Sequence, residues 1–280
     1  QAAGAFTAVL AAISLVVDNF ESLTRFAAGV DRLDAFYQTL QAPTRQPRTD
    51  APAETVEGSD ELRLENLTVQ TPAPVRPLLR HLSLVVEPGE GLLVVGPSGV
   101  GKSALLRTIT GLWPSGGGRI LRPAPQHMLF LPQQPYMLLG GTLRHQLLYP
   151  QPDRHIDDAR LLQVLEQVNL PDLAERLGGL GNEQDWDRTL SVGEQQRLAF
   201  ARLLLTAPRF AFLDEATSAL DLANEARLYR QLMTTRTTPI SVGHRASILK
   251  YHAWVLEIQG EGRWQLIPAQ DYRFREQEPS

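Results

Sequence analysis

The stretch with the clearest chemistry is Gly96-Pro97-Ser98-Gly99-Val100-Gly101-Lys102-Ser103, whose fixed positions follow the spacing G-x-x-x-x-G-K-S. Before it runs an apolar segment, 91–95, suited to a buried parallel strand. After it, 103–110 reads as a helix halted by Gly111. A glycine loop between a strand and a helix is an anion cradle, because its backbone N–H groups and the helix N-terminus point at one place. Glycine permits positive φ and the close approach of phosphate oxygens. In such a cradle Lys102 reaches the β- and γ-phosphates, and the Ser103 hydroxyl ligates Mg²⁺. With Ala104 in the first helical turn, these nine residues are the predicted phosphate-binding set.

Two carboxylates form the next constellation. Phe210-Ala-Phe-Leu-Asp214-Glu215 is four apolar residues running into two acids. A buried strand ending this way sets Asp214 at the ligand rim of a parallel sheet, where it would hold Mg²⁺ directly or through water. Glu215 would then orient and deprotonate an attacking water; the alternative is an acidic pair that caps the following helix. Gln133, after the apolar run 127–131, would sense the metal and water, and His244, after 239–242, would donate to the γ-phosphate. The other histidines, His81, His127, His145, His155 and His252, read as structural. The catalytic set is Glu215, His244 and Lys102, and the metal set is Ser103, Gln133 and Asp214.

Leu190-Ser-Val-Gly-Glu-Gln-Gln-Arg197 precedes a helix. Ser191 has the form of an N-cap, with Glu194 as its capping-box partner. The same N-terminus, through free N–H groups, could instead bind a phosphate. One nucleotide does not need two cradles from one chain. A second copy, head to tail, would supply one of them.

Strands alternating with helices must position these groups. Residues 62–69 alternate like a half-exposed strand, and 82–86 give another before the turn Pro88-Gly89. The runs 127–131, 210–213, 239–242 and 253–258 are short and apolar, as strands buried on both faces are. Residues 157–168 are amphipathic, 171–177 follow as a second helix, and Gly178, Gly179 and Gly181 close this helical insertion. Helices over 193–206, stopped by Pro208, and 222–233 complete the pattern. The predicted class is α/β, with a mainly parallel, doubly wound sheet.

Composition bounds the rest. At 280 residues, 43% hydrophobic and 21% charged, the chain is an ordinary globular protein of one or two domains. A net charge of −4 gives no global basic field, so no nucleic-acid partner is expected. The absence of cysteine excludes disulfides and cysteine-ligated metals. Residues 5–17 are 13 residues without a charge and without the flanks of a secretory signal. A spanning helix needs ~20 such residues. From 18 to 40, Phe20, Leu23, Phe26, Ala27, Val30, Leu33 and Tyr37 recur at three- and four-residue steps among charges. These residues alone leave two readings open: a helix packed in or on a globular core, or the end of a membrane-spanning helix. Residues 41–60, with Pro43, Pro47 and Pro52, read as a linker, and 275–280 as a polar tail.

Taken in order, these motifs resemble the ATP-binding cassette of ABC transporters over about 61–266. Gly96–Ser103 is similar to the Walker A loop, Gln133 to the Q-loop, 190–194 to the signature, 210–215 to Walker B, 218–221 to the D-loop and His244 to the switch histidine. The resemblance implies a P-loop NTPase (RecA-like) core, an antiparallel β part and a helical subdomain carrying the signature. It implies ATP and Mg²⁺ as cofactors and a head-to-tail pair that sandwiches two nucleotides. In that pair Ser191 and Gly193 would touch the γ-phosphate in trans, with Glu194 in the same binding set, and Asp221 would help couple the two sites. The signature departs from the family pattern at Val192, usually glycine, and Glu194, usually an amide; Thr71 stands where the family stacks an aromatic on adenine.

Finer wording narrows the resemblance. Gly111-Leu-Trp-Pro114, Phe130-Leu-Pro-Gln-Gln-Pro-Tyr136, Gly141-Thr-Leu143 and Ser241-Val-Gly-His-Arg245 are similar to the branch of peroxisomal fatty-acyl-CoA transporters and bacterial half-transporters. On that resemblance, 1–40 is the end of the last transmembrane helix with its cytosolic extension, and 61–274 is the ATP-binding domain. The membrane domain of the same polypeptide is then a partner, with the cassette on the cytoplasmic side of an inner or plasma membrane. The implied activity is ATP hydrolysis coupled to solute translocation; a soluble ABC ATPase of translation or DNA repair is the rival reading.

Overall fold

The computed structural model describes residues 26–38, 53–72, 74–113 and 116–274, together with Gly4 and Thr24. The chain divides into two units, 1–49 and 50–280. In the first, 26–38 is helical, and Phe26, Val30, Leu33 and Tyr37 are exposed along it. No described helix is long and apolar enough to cross a membrane. The remainder of segment 1–40, linker residues 41–52 and the tail 275–280 lie outside the described residues.

The described strands of the second unit are β1 (Glu54–Glu57), β2 (Leu62–Gln70), β3 (Pro77–Val86), β4 (Leu92–Val95), β5 (Gly116–Arg122), β6 (Met128–Leu131), β7 (Phe210–Asp214), β8 (Thr238–Val242), β9 (Trp254–Gly260) and β10 (Arg263–Pro268). Its helices are α1 (Lys102–Thr110), α2 (Leu143–Leu148), α3 (Asp158–Gln167), α4 (Leu173–Arg176), α5 (Trp186–Thr189), α6 (Val192–Thr206) and α7 (Leu222–Met233). One sheet has the order β1-β5-β2-β3 and the other β10-β9-β4-β8-β7-β6. In the larger sheet β9, β4, β8, β7 and β6 are parallel and β10 runs against β9. The expected α/β core, with an antiparallel part and a helical part, is what forms.

Strand β4 shows why its sequence lacks alternation. Leu92 and Val94 face a core shared with β2, β3 and α1, whereas Leu93 and Val95 face a core built with the remaining helices. Strand β7 divides likewise, Phe210 and Phe212 to one side and Ala211 and Leu213 to the other. Burying each large side chain stabilises the fold by about 1.5–3 kcal/mol, so a strand between two cores has no polar face to show. The parallel register pairs Val94 with Val242, Asp214 with Val242, and Leu131 with Leu213. The loops leaving β4, β8, β7 and β6 therefore emerge side by side, at the edge where such sheets bind ligands.

The expected linker needs a correction. Residues 54–57 are not linker but β1, paired in parallel with β5. The Glu57 carboxylate meets Arg122 at 2.8 Å, and Arg122 also donates to Ile109 O at 2.6 Å, near the C-terminal end of α1. Parallel pairing with β5 defines this strand, whose largely exposed, charged residues give it no apolar pattern.

Behind the end of β8 lies a polar relay. His252, only 7% exposed, sets Nδ1 2.9 Å from Ile248 O and Nε2 2.8 Å from Ser241 Oγ, and the Tyr229 hydroxyl lies 3.0 Å from the same Oγ. A carbonyl only accepts, so Nδ1 carries the proton, Ser241 donates to Nε2, and Tyr229 donates to Ser241. Burial lowers the His252 pKa from 6.5 to about 4, against the Ile248 carbonyl, which favours the charged form. The unfolded chain gains this proton as pH falls through 6.5, whereas the folded chain resists it until about 4. The stability tied to His252 is thus complete above the unfolded pKa and is lost towards the folded one, at about 1.4 kcal/mol per pH unit. Denaturant titrations at pH 6.5 and 5 are expected to differ by about 2 kcal/mol from this group, and His252→Gln removes that difference.

Candidate nucleotide-binding site

The loop between β4 and α1 takes its shape from glycine. Gly96 has φ 142°, and a Cβ there would sit 2.2 Å from Ile258 O, which no larger residue tolerates. Helix α1 begins at Gly101 with no side-chain cap and no acid in its first turn. Helices α2, α3, α6 and α7, by contrast, are capped by Thr142, Asp157, Ser191 and Asp221. The leading N–H groups of α1 are left for an anion, which the helix dipole also favours. Lys102 Nζ lies 2.9 Å from Gly96 O and 2.8 Å from Pro97 O, folded over the loop and 6% exposed. Burial lowers its pKa, opposed by Glu215 and Asp214. Pro97, Ser98 and Gly99 are exposed, whereas Val100 packs against the core and the Ala104 side chain is buried in it. Ala104 can therefore offer only backbone to a ligand. A cleft of about 720 Å³ opens beside this loop, lined by Gly96, Pro97, Ser98, His244, Glu257 and Tyr272 among others.

At the end of β7 the two acids take different environments. Asp214 is 2% exposed and accepts from Ser103 Oγ at 2.6 Å, with Arg107 3.9 Å away. Burial raises its pKa, while Ser103, Arg107 and Lys102 hold it down. Ser103 and Asp214 together are two hard oxygen donors beside the phosphate loop. That donor set suits Mg²⁺, which binds one or two protein oxygens and takes the rest from phosphates and water.

Glu215 follows with φ 50°, a left-handed conformation that costs a non-glycine residue about 1 kcal/mol. Its N–H still bonds Val242 O at 3.2 Å, so the strain lies in turning the side chain toward the loops. There Gln133 Nε2 donates to Oε2 at 3.0 Å, and His244 Nε2 lies 3.1 Å from Oε1. The carboxylate can only accept, which puts the His244 proton on Nε2. Lys102, Ser103, Asp214, Gln133, Glu215 and His244, scattered through the sequence, thus converge at one sheet edge.

The second predicted cradle, the start of α6, bonds within itself and to Arg176. Ser191 caps α6 and forms a full capping box: its Oγ accepts from Glu194 N–H at 3.3 Å, and Glu194 Oε2 accepts from Ser191 N–H at 2.9 Å. The capping box expected from Ser191 and Glu194 therefore forms and takes up the Glu194 N–H, which leaves the N–H groups of Val192 and Gly193 as the leading donors of α6. Gly193 lies in ordinary helical φ, and a Cβ there would make contacts of 3.5 Å, so the chain itself does not demand glycine. A glycine inside a helix costs about 1 kcal/mol relative to alanine; its use here fits approach by something from outside. Asp221 is the N-cap of α7, accepting from Asn224 N–H at 2.7 Å.

Residues 79–218 match the family described as ABC transporter. The chain belongs to that family. It is 51% identical over 274 residues, 96% of its length and 41% of the relative's, to an uncharacterized ABC transporter ATP-binding protein of Synechocystis. To ABC transporter D family member 2, chloroplastic, of Arabidopsis thaliana it is 36% identical, covering 97% of this chain and 49% of that one. A solved structure of a bacterial Atm1-family ABC exporter with ATP bound aligns at TM-score 0.68 and 26% identity, over 85% of this chain and 44% of that one. The chain spans less than half the length of these relatives. It is an ABC transporter ATP-binding domain, of the class that hydrolyses ATP, and the translation and DNA-repair reading is set aside.

The cassette also contains polar supports that motif spacing does not reveal. Gln196, 1% exposed on α6, donates to Gln133 O at 3.1 Å and Ser218 Oγ at 3.2 Å and accepts from Ala219 N–H at 3.0 Å. One buried amide so joins the signature helix to the Q-loop and the D-loop. Arg245 donates to Leu220 O and Ser218 O, tying the D-loop to the segment that carries His244. Thr71 sits at the neck of a tight loop, with its hydroxyl accepting from Arg76 N–H at 2.9 Å. Both Gln196 and Arg245 lie within stretches that the sequence singles out, 190–197 and 241–245, but nothing in those stretches says which loops they tie together.

Proposed function

We propose that this cassette hydrolyses MgATP to drive solute translocation by a half-transporter, as one of two copies arranged head to tail. The observation that carries the reading is the Glu215 carboxylate, held by Gln133 and His244 next to the Ser103–Asp214 pair and the uncapped helix α1. In this reading the triphosphate lies on the loop Gly96–Ser103, with Lys102 at the β- and γ-phosphates. Ser103 and Asp214, with Gln133 nearby, would hold Mg²⁺, which would supply charge neutralisation of the phosphate oxygens. Glu215 orients the attacking water and takes its proton, and His244 turns its Nε2–H to the γ-phosphate. Ser191, Gly193 and Glu194 of the second copy close the other side, and Asp221 lies between the two sites.

The ABC transporter relatives, each more than twice as long as this chain, support a membrane domain as the cassette's working partner. The helical stretch 26–38, following an uncharged run, is consistent with an extension from it. Membrane attachment, with the cassette on the cytoplasmic side, follows from that reading. Sedimentation with and without MgATP, alongside phosphate release, tests it. The expected result is nucleotide-dependent pairing accompanied by turnover; a protein that stays single and inert at saturating MgATP in its membrane-embedded form would falsify the reading.

A further inference from the structure

The acid at position 194 raises an electrostatic problem that the structure answers with a residue outside every motif. The proposed ligand of this helix end is a phosphate, yet Glu194 puts a carboxylate in the first turn of α6. That carboxylate is fully engaged. Oε2 accepts from Ser191 N–H and from Ser191 Oγ, both at 2.9 Å. Oε1 is held by the Arg176 guanidinium at 2.5 Å. Arg176 closes helix α4, and its side chain is 52% exposed while that of Glu194 is 14% exposed. An ion pair with one partner so open to water adds little to folding stability. Its effect on charge at the helix end is larger, because the guanidinium turns a local −1 into zero where an anion is to approach.

We infer that Arg176 is a positioning residue of the signature, neutralising Glu194 and holding it on the Ser191 cap so that the helix end can receive the partner copy's γ-phosphate. The inference rests on the two-copy reading above. When phosphate oxygens arrive, Ser191 Oγ can leave Glu194 for them, and Arg176 keeps the released carboxylate paired and turned aside. Without Arg176, the carboxylate and the phosphate compete for one hydroxyl while repelling each other. Burial works against ionisation of Glu194, yet Arg176 and the two Ser191 donors hold its pKa below the usual carboxylate value, so the repelling charge is present at neutral pH.

A double-mutant cycle tests this in the hydrolysis-slow Glu215→Gln background, reading ATP-driven pairing by sedimentation and ATP binding by each single copy in dilute solution. Arg176→Met is expected to weaken pairing about tenfold, as an unpaired like charge at an interface does, while leaving the affinity of the single copy for ATP unaltered. Placed on Glu194→Gln instead, the same Arg176→Met change is expected to shift pairing less than twofold, because no carboxylate remains to be neutralised. Raising the salt concentration is expected to lessen the Arg176→Met defect. If Arg176→Met costs as much on top of Glu194→Gln as it does with Glu194 in place, or nothing in either, the inference is overturned while the two-copy reading stands. If the Glu215→Gln parent itself does not pair with MgATP, the two-copy reading falls and takes the inference with it.

Discussion

Glu215→Gln is expected to slow ATP hydrolysis at least about 100-fold, the usual contribution of a positioned general base, while ATP still binds. The substitution is nearly isosteric, and the amide can still accept from His244 through its oxygen. What it loses is the ability to take a proton from water. The residue's backbone also sits at φ 50°, so the strain that aims the side chain is kept in the variant. The amide must, however, face Gln133 Nε2 with its own NH₂ group if its oxygen turns to His244, so one of the two present bonds is lost. Since hydrolysis is what would dissolve the pair, the same variant is expected to accumulate as a nucleotide-bound dimer. Phosphate release and sedimentation on one preparation separate the two effects. A variant that turns over within threefold of the parent would remove Glu215 from the base role and leave it a support for His244.

The sequence made most of the parallel sheet legible, and the reason is burial on two faces. Strand β4 and residues 210–213 of β7 are apolar runs because their side chains meet a core on either face, and helix α7 matches its expected span because Asp221 caps it and Leu228 and Leu232 lie on its buried side. Strands β1, β5 and β10 were invisible for the opposite reason. Strand β5 opens with three glycines that read as a loop; a Cβ on Gly116 would lie 2.0 Å from Thr68 O, so glycine there serves close approach to a bulged β2. Strand β1 pairs in parallel with β5 through its backbone, and its exposed Glu54 and Glu57, which face Arg119 and Arg122, give it no periodic signature.

The candidate site divides along the same line. Residues whose chemistry needs a fixed spacing, Gly96 to Ser103 and Asp214-Glu215, are readable because strand, loop and helix impose that spacing locally. Arg176, Gln196 and Arg245 act across distances in the chain that no local pattern encodes, and they become visible only when the loops are seen together. The strained φ of Glu215 belongs to this second class. Nothing in Asp214-Glu215-Ala216 marks it, since it arises from β7 bonding to Val242 while the chain turns to the rim.

Lys102→Ala is expected to weaken ATP binding about 100-fold and AMP binding hardly at all. A charge-assisted hydrogen bond to phosphate is worth about 1.5–3 kcal/mol, and the ammonium has three donors. Two of them now bond Gly96 O and Pro97 O, so one is free for the ligand and a second must be exchanged rather than gained. Only part of the gross value therefore appears as affinity, which sets the estimate near about 3 kcal/mol rather than twice that. Burial already disfavours the ammonium in the absence of an anion, so an arriving triphosphate also relieves a cost. Lys102→Arg does not rescue, because a planar guanidinium cannot take the place of a compact ammonium that bonds Gly96 O and Pro97 O while pointing a third donor at the ligand. Titrations with AMP, ADP and ATP give the decisive comparison. A loss that grows with each added phosphate places Lys102 at the β- and γ-phosphates; an equal loss for all three would mean that its two carbonyl bonds shape the loop and that the phosphates are held by the backbone of α1 alone.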